Sequence, residues 1–180
     1  MNATEEDIQA LLDERAIRTL LMRYCRAVDR CDQEAIAACF HPDAVDDHGN
    51  WIVDGSRVAA HIVSLVRPGP GRAMHFLGNV LIEVEGDTAF AESSVLAFRT
   101  FTRNGQPHNR TRALRFVDRF ERRDGHWRIS ERVAVDEWNR VDRIDERQDD
   151  ADKFRYGTKD RSDPVYAIRK GRVARRPTSP

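Results

Sequence analysis

Residues 73–138 read AMHFLGNVLIEVEGDTAFAESSVLAFRTFTRNGQPHNRTRALRFVDRFERRDGHWRISERVAVDEW, and this stretch decides the fold. Glu85-Gly86-Asp87, Asn104-Gly105 and Asp124-Gly125 cut it into four runs: 73–84, 88–102, 109–122 and 126–138. Asn-Gly and Asp-Gly favour two-residue hairpin turns, because both central positions of a type I′ turn need a positive φ. Within the third run Leu114, Phe116 and Phe120 alternate with polar residues, the period of a sheet with unlike faces. The stretch therefore predicts four antiparallel strands in sequence.

Toward the N-terminus the period changes. From Thr4 to Val28 apolar residues recur at Ile8, Leu11, Leu12, Ile17, Leu20, Leu21, Tyr24 and Val28, the spacing of an amphipathic helix, with Thr4 and Asp7 suited to its first turn. Asp32 reads as the cap of a second, shorter helix carrying Ile36, Ala37 and Phe40 and stopped by His41-Pro42. An extended piece, 44–53, broken at Gly49-Asn50, precedes a third helix over 56–66 that Pro68-Gly69-Pro70-Gly71 closes. Three helices followed by a meander define an α+β layout. A long, twisted sheet curls around such helices and leaves a pocket between the layers.

The 180 residues suffice for one domain with its own core and not for two of ordinary size. Thirty basic residues balance thirty acidic ones, so no overall field favours nucleic acid or an anionic membrane. The three cysteines, Cys25, Cys31 and Cys39, match neither a zinc knuckle nor a CxxC pair. No signal peptide and no apolar run of spanning length is read, so a cytoplasmic location and no membrane partner are expected. Glycine-rich phosphate loops and a G-x-S-x-G elbow are missing, so no cofactor is expected. His41, Asp43, Asp46, Asp47 and His48 offer metal-type donors without a recognised ligand spacing, and no metal is assigned. Residues 1–140 are assigned to the domain. Residues 141–168 form a charged arm, either a short surface helix or a segment laid on a partner, and 169–180 a disordered basic tail.

Two residues stand out chemically. Asp29 ends the first helix, where the macrodipole favours a cation, and His75 opens the first long strand. If they meet, Asp29 fixes the tautomer of His75 and supports its imidazolium, and the free ring nitrogen can take a proton from a bound molecule. Spacing alone favours a turn-capping aspartate and a core histidine with a backbone partner.

Four segments add to this: Tyr24-Cys25-Arg26-Ala27-Val28-Asp29, Phe40-His41-Pro42-Asp43-Ala44, Met74-His75-Phe76-Leu77-Gly78-Asn79, and the run from Asp118 to Ile129. Together they resemble the SnoaL-like branch of the nuclear transport factor 2 superfamily, over residues 5 to 140 or so. The resemblance implies a cone-shaped roll of three N-terminal helices on a curved, mostly antiparallel sheet, and it is nearest to the scytalone dehydratase, hexachlorocyclohexane dehydrochlorinase and bile-acid dehydratase members. It implies that Asp29 and His75 are a proton-abstracting dyad, that Tyr24 stands beside a leaving group, and that Arg132 lines the pocket as a polar anchor. Asp46 is a further candidate for the pocket wall. The second histidine that scytalone dehydratase carries on the strand corresponding to 88–102 has no counterpart here.

The expected activity is that of a cofactor-independent lyase or isomerase acting on a hydrophobic cyclic molecule, polyketide, steroid-like or aromatic. Two other readings stay open: a non-catalytic small-molecule-binding protein, and the small subunit of a ring-hydroxylating dioxygenase. The outer face of the sheet is the expected self-association surface, giving a homodimer or homotrimer.

Overall fold

A computed structural model describes residues 3–69, 71–148 and 150–171. Three helices, α1 (Glu5–Asp29), α2 (Gln33–Ala37) and α3 (Gly55–Val66), pack on a six-stranded sheet of β1 (Phe40–Asp47), β2 (Ile52–Asp54), β3 (Ala73–Glu85), β4 (Thr88–Arg103), β5 (Gln106–Arg123) and β6 (His126–Arg143). The strand order is β2-β1-β6-β5-β4-β3. All pairings are antiparallel except β1 with β6, which is parallel.

Helix α1 starts on a capping box: the Thr4 hydroxyl accepts from the Asp7 amide at 3.1 Å, and Asp7 accepts from the Thr4 amide at 2.9 Å. Its buried face runs through Ile17, Leu20, Leu21, Tyr24 and Val28, whereas Ile8, Leu11 and Leu12, expected on the same stripe, are exposed because the sheet does not reach the first two turns. Asp13 ties this helix down. It accepts from the Trp127 indole at 2.8 Å and from Arg122 at 2.9 and 3.0 Å, both on the β5–β6 hairpin.

The turns at Asn104-Gly105 and Asp124-Gly125 have positive φ at both residues, 50° and 74° and then 52° and 75°, as the sequence demands. Irregularities at Leu77/Val80, Ala113/Leu114 and Arg119/Phe120 add local twist, which bends the strands around α1. Phe116, Phe120, Ile129, Phe40 and Ile36 fill the space between the layers.

Two expectations are corrected. Helix α2 ends at Ala37, and Phe40, His41 and Pro42 belong to β1. Pro42 is tolerated there because it lies in the irregular step between Phe40 and Val45, where no ladder bond is needed. Asp46 and Asp47, in the expected extended piece, continue the same strand opposite Val53 and Ile52. Strand β6 continues to Arg143, into residues assigned to the arm, because it follows β5 to its end: His108 pairs with Arg143.

The described part of the arm folds back on its own chain. It carries a 3-10 turn (Ala151–Lys153) and a short helix, α4 (Pro164–Arg169). Lys159 donates to the carbonyls of Val66, Arg67 and Gly69 at 3.1, 2.8 and 2.9 Å, closing the C-terminus of α3. The Tyr166 hydroxyl donates to Asp32 at 2.9 Å, and Asp163 pairs with Arg30 at 3.0 Å. Most of the expected disordered tail lies outside the described residues.

Candidate active site

His75 lies on β3, an edge strand of the sheet, and Asp29 is the last residue of α1. A residue on an edge strand can turn its amide away from the ladder, and His75 gives its amide to Asp29 Oδ2 at 3.0 Å. Its ring Nδ1 stands 2.7 Å from Asp29 Oδ1. A carboxylate can only accept, so Nδ1 is the donor in this contact, and in the neutral ring Nε2 carries the lone pair. Asp29 is buried and the His75 side chain is 16 % exposed, enough to be reached from a cavity and too little to be surrounded by water.

That cavity, of about 210 Å³, lies between the helices and the concave face of the sheet. Val28, Ile62, Leu114 and Phe116 give it apolar walls, and Tyr24 lines it together with His75. Five residues on a regular helix put Tyr24 and Asp29 on different sides. His75, reaching in from β3, is what joins Asp29 to the cavity that Tyr24 faces. Burial pushes the Tyr24 phenol well above its usual pKa, so it stays protonated and able to donate.

The structure does not place Arg132 or Asp46 among the cavity-lining side chains. Arg132 is fully buried one layer beneath, its guanidinium 3.9 Å from the Phe116 ring centroid and 4.3 Å from that of Tyr24. Its partner is Asp118, through two contacts of 2.7 Å, and not Glu131 or Asp136. Arg132 thus backs the two aromatic walls. Asp46 is likewise fully buried, with the Nε2 of His48 at 3.1 Å, out of line for a hydrogen bond. His48 itself lines the cavity and stacks on Trp51 at 4.0 Å.

Sequence reasoning missed His48, Trp51 and three arginines, Arg99, Arg110 and Arg112, all on the cavity wall. For the arginines a signal existed. Extending the inward alternation of Phe120, Phe116 and Leu114 by two more steps reaches Arg112 and Arg110. The donors of the His41–His48 segment do not share one face: His41 is buried against the Glu121 carbonyl at 2.9 Å, while Asp43, within the irregular step of β1, is exposed and bound to Arg123. Among the described residues no three metal-type side chains converge.

Helices closing a curved sheet over a cavity, with an aspartate-bound histidine on its wall, define an α+β cone with a candidate site. The chain belongs to the SnoaL-like family, whose domain model matches residues 9–133. No curated protein matches it at a significant level. Among solved structures it is similar to the type 3 hexachlorocyclohexane dehydrochlorinase of Novosphingobium barchaimii, with 22% identity, a TM-score of 0.68 and coverage of 79% of this chain and 97% of that one. A scytalone dehydratase candidate from Novosphingobium aromaticivorans gives 20% identity and a TM-score of 0.63, covering 77% and 91%. A variant of Rv3472 from Mycobacterium tuberculosis, described as of unknown function, gives 25% identity and a TM-score of 0.60, covering 71% and 77%. The first two likenesses show a shared fold.

Proposed function

We propose that the protein is a cofactor-independent lyase or isomerase that removes a carbon-bound proton from a hydrophobic cyclic substrate. The observation that carries this reading is the capture of both Asp29 oxygens by His75 on the wall of a cavity whose neighbouring wall is the apolar set Val28, Ile62, Leu114 and Phe116. Nε2 takes the proton, Asp29 stabilises the imidazolium, and the electron pair left on carbon forms the new double bond as a leaving group departs or shifts. The Tyr24 phenol donates to the oxygen on which charge develops. Elimination chemistry is also supported by the dehydrochlorinase and dehydratase named among the structural neighbours.

The test is deuterium incorporation, followed by NMR in D2O, for a panel of cyclic ketones and β-substituted cyclic compounds. Exchange or elimination in the native protein and its loss in His75→Gln are expected. Ligands that bind with no exchange and no turnover would instead make the protein a binding module.

We further infer a homo-oligomer built on the convex face of the sheet. Phe76, Leu96, Ala113 and Trp138 form one row across four strands, each the register partner of the next, and Phe76 and Trp138 are more than half exposed. No described helix is long and apolar enough to cross a membrane, and the three free thiols suit the reducing cytoplasm.

A further inference from the structure

The inward faces of β4 and β5 change character along their length. On β4 the series is Ala89, Ala91, Ser93, Val95 and Ala97, and on β5 it is Phe120, Asp118, Phe116 and Leu114, apolar but for Ser93 and the Arg132-bound Asp118. Continued toward the other end, the same alternation gives Arg99 on β4 and Arg112 and Arg110 on β5. All three line the cavity that holds His75, and all three are half-buried.

Their partners differ. Arg112 is bound to Asp136 through Nε at 3.1 Å. Arg99 and Arg110 face each other as direct cross-strand partners and have no ion pair or side-chain hydrogen bond among the described residues. Like charges opposite each other in a sheet are destabilising, and a guanidinium drawn partly out of water needs an acceptor for its donors. Burial, with Arg112 and Arg99 alongside, holds Arg110 below its usual pKa. Other arginines of the sheet are compensated: Arg122 by Asp13 and Asp87, Arg115 by Glu92 and Glu137, Arg132 by Asp118.

We propose that Arg99 and Arg110 are the seat for a carboxylate on the substrate, so that the cavity takes an apolar ring bearing an acidic group. The inference rests on reading this cavity as the substrate site. The carboxylate supplies the acceptors that the two guanidinium forks lack, at the end of the cavity where the sheet face turns basic. The ring then lies against Leu114 and Phe116, beside His75. Charge at one end and apolar walls at the other fix the orientation in which a ring C–H is presented to Nε2.

Binding of naphthoate and of the uncharged naphthylmethanol, followed by tryptophan fluorescence, tests this without requiring turnover. The native protein is expected to prefer naphthoate by about tenfold or more at low salt, the scale of a charge-assisted pair, and less at high salt. In Arg99→Gln/Arg110→Gln the preference falls to about twofold or less while naphthylmethanol binding is unchanged. Arg115→Gln, on the outer face, leaves the preference intact. Equal affinities in the native protein, no binding of naphthoate, or a preference that survives in the double variant with an unchanged melting temperature would overturn the proposal. A clear preference for naphthoate in a protein that exchanges no carbon-bound proton sinks the lyase reading and leaves the carboxylate seat standing. Proton exchange without any anion preference does the reverse.

Discussion

His75 occupies both oxygens of Asp29, one through its ring Nδ1 at 2.7 Å and one through its own backbone amide at 3.0 Å. The ring is thereby fixed against the same carboxylate that anchors its main chain, so the imidazole cannot swing away from the cavity without freeing a buried acid. The end of α1 and the edge strand β3 are tied together by these two hydrogen bonds.

The dyad separates positioning from proton transfer. Asp29→Asn retains an acceptor for Nδ1 and loses the charge that supports the imidazolium, and His75→Gln loses the base itself. On any substrate identified by proton exchange, kcat is expected to fall by roughly 10²–10⁴ in His75→Gln and by less in Asp29→Asn, with KM little changed. Equal kcat in the two variants and the native protein would remove the dyad from the mechanism.

The buried Arg132–Asp118 pair supports the cavity wall through Tyr24 and Phe116. Arg132→Met leaves Asp118 buried and unpaired, and a loss of about 3–5 kcal/mol in urea unfolding is expected. Adding Asp118→Leu removes the orphan charge, so the double variant should recover most of that loss. A single variant no less stable than the native protein would show that Asp118 is solvated from elsewhere.

The thiols set an alkaline limit. Burial pushes Cys25 up to about 12 and Cys39 up to about 11, from an ordinary 9.0. Unfolding therefore releases their protons once the pH passes the ordinary value, and stability falls as pH rises from 9 toward 12. At neutral pH Ellman's reagent should react with neither until the chain unfolds. In Cys25→Ala/Cys39→Ala the slope of stability against pH over this window should be shallower than in the native protein.

Self-association through the convex row is testable by light scattering. The native protein is expected to run as a dimer or trimer, and Trp138→Glu, which sets a charge at the β6 end of the apolar row, as a monomer with an unchanged circular dichroism spectrum. An oligomer that survives this substitution uses another face.

Much of the fold was legible because it is written in local chemistry. The hairpins follow from Asn104-Gly105 and Asp124-Gly125, whose backbones must take positive φ, and the start of α1 follows from Thr4 and Asp7. Phe40 reads as helical in the sequence because a single apolar residue before a proline carries no period, and only its parallel pairing with Ile129 makes it a strand. Arg132 was expected on the pocket wall because position along a strand does not reveal depth: Tyr24 and Phe116 stand in front of it.

The sequence by itself determined the α+β layout and the strand runs, since periodicity and turn chemistry act between neighbours in the chain, whereas Asp29 and His75 were paired only by the family resemblance. Only the tertiary structure decided that the His75 amide as well as its ring binds Asp29, that Arg132 is a buried brace, and that Arg99 and Arg110 face one another on the cavity wall with no ion pair among the described residues. Those facts depend on strand register and on which layer each side chain reaches. Both are set by irregularities such as those at Leu77/Val80 and Ala113/Leu114 and by the packing of α1, between residues far apart in the chain.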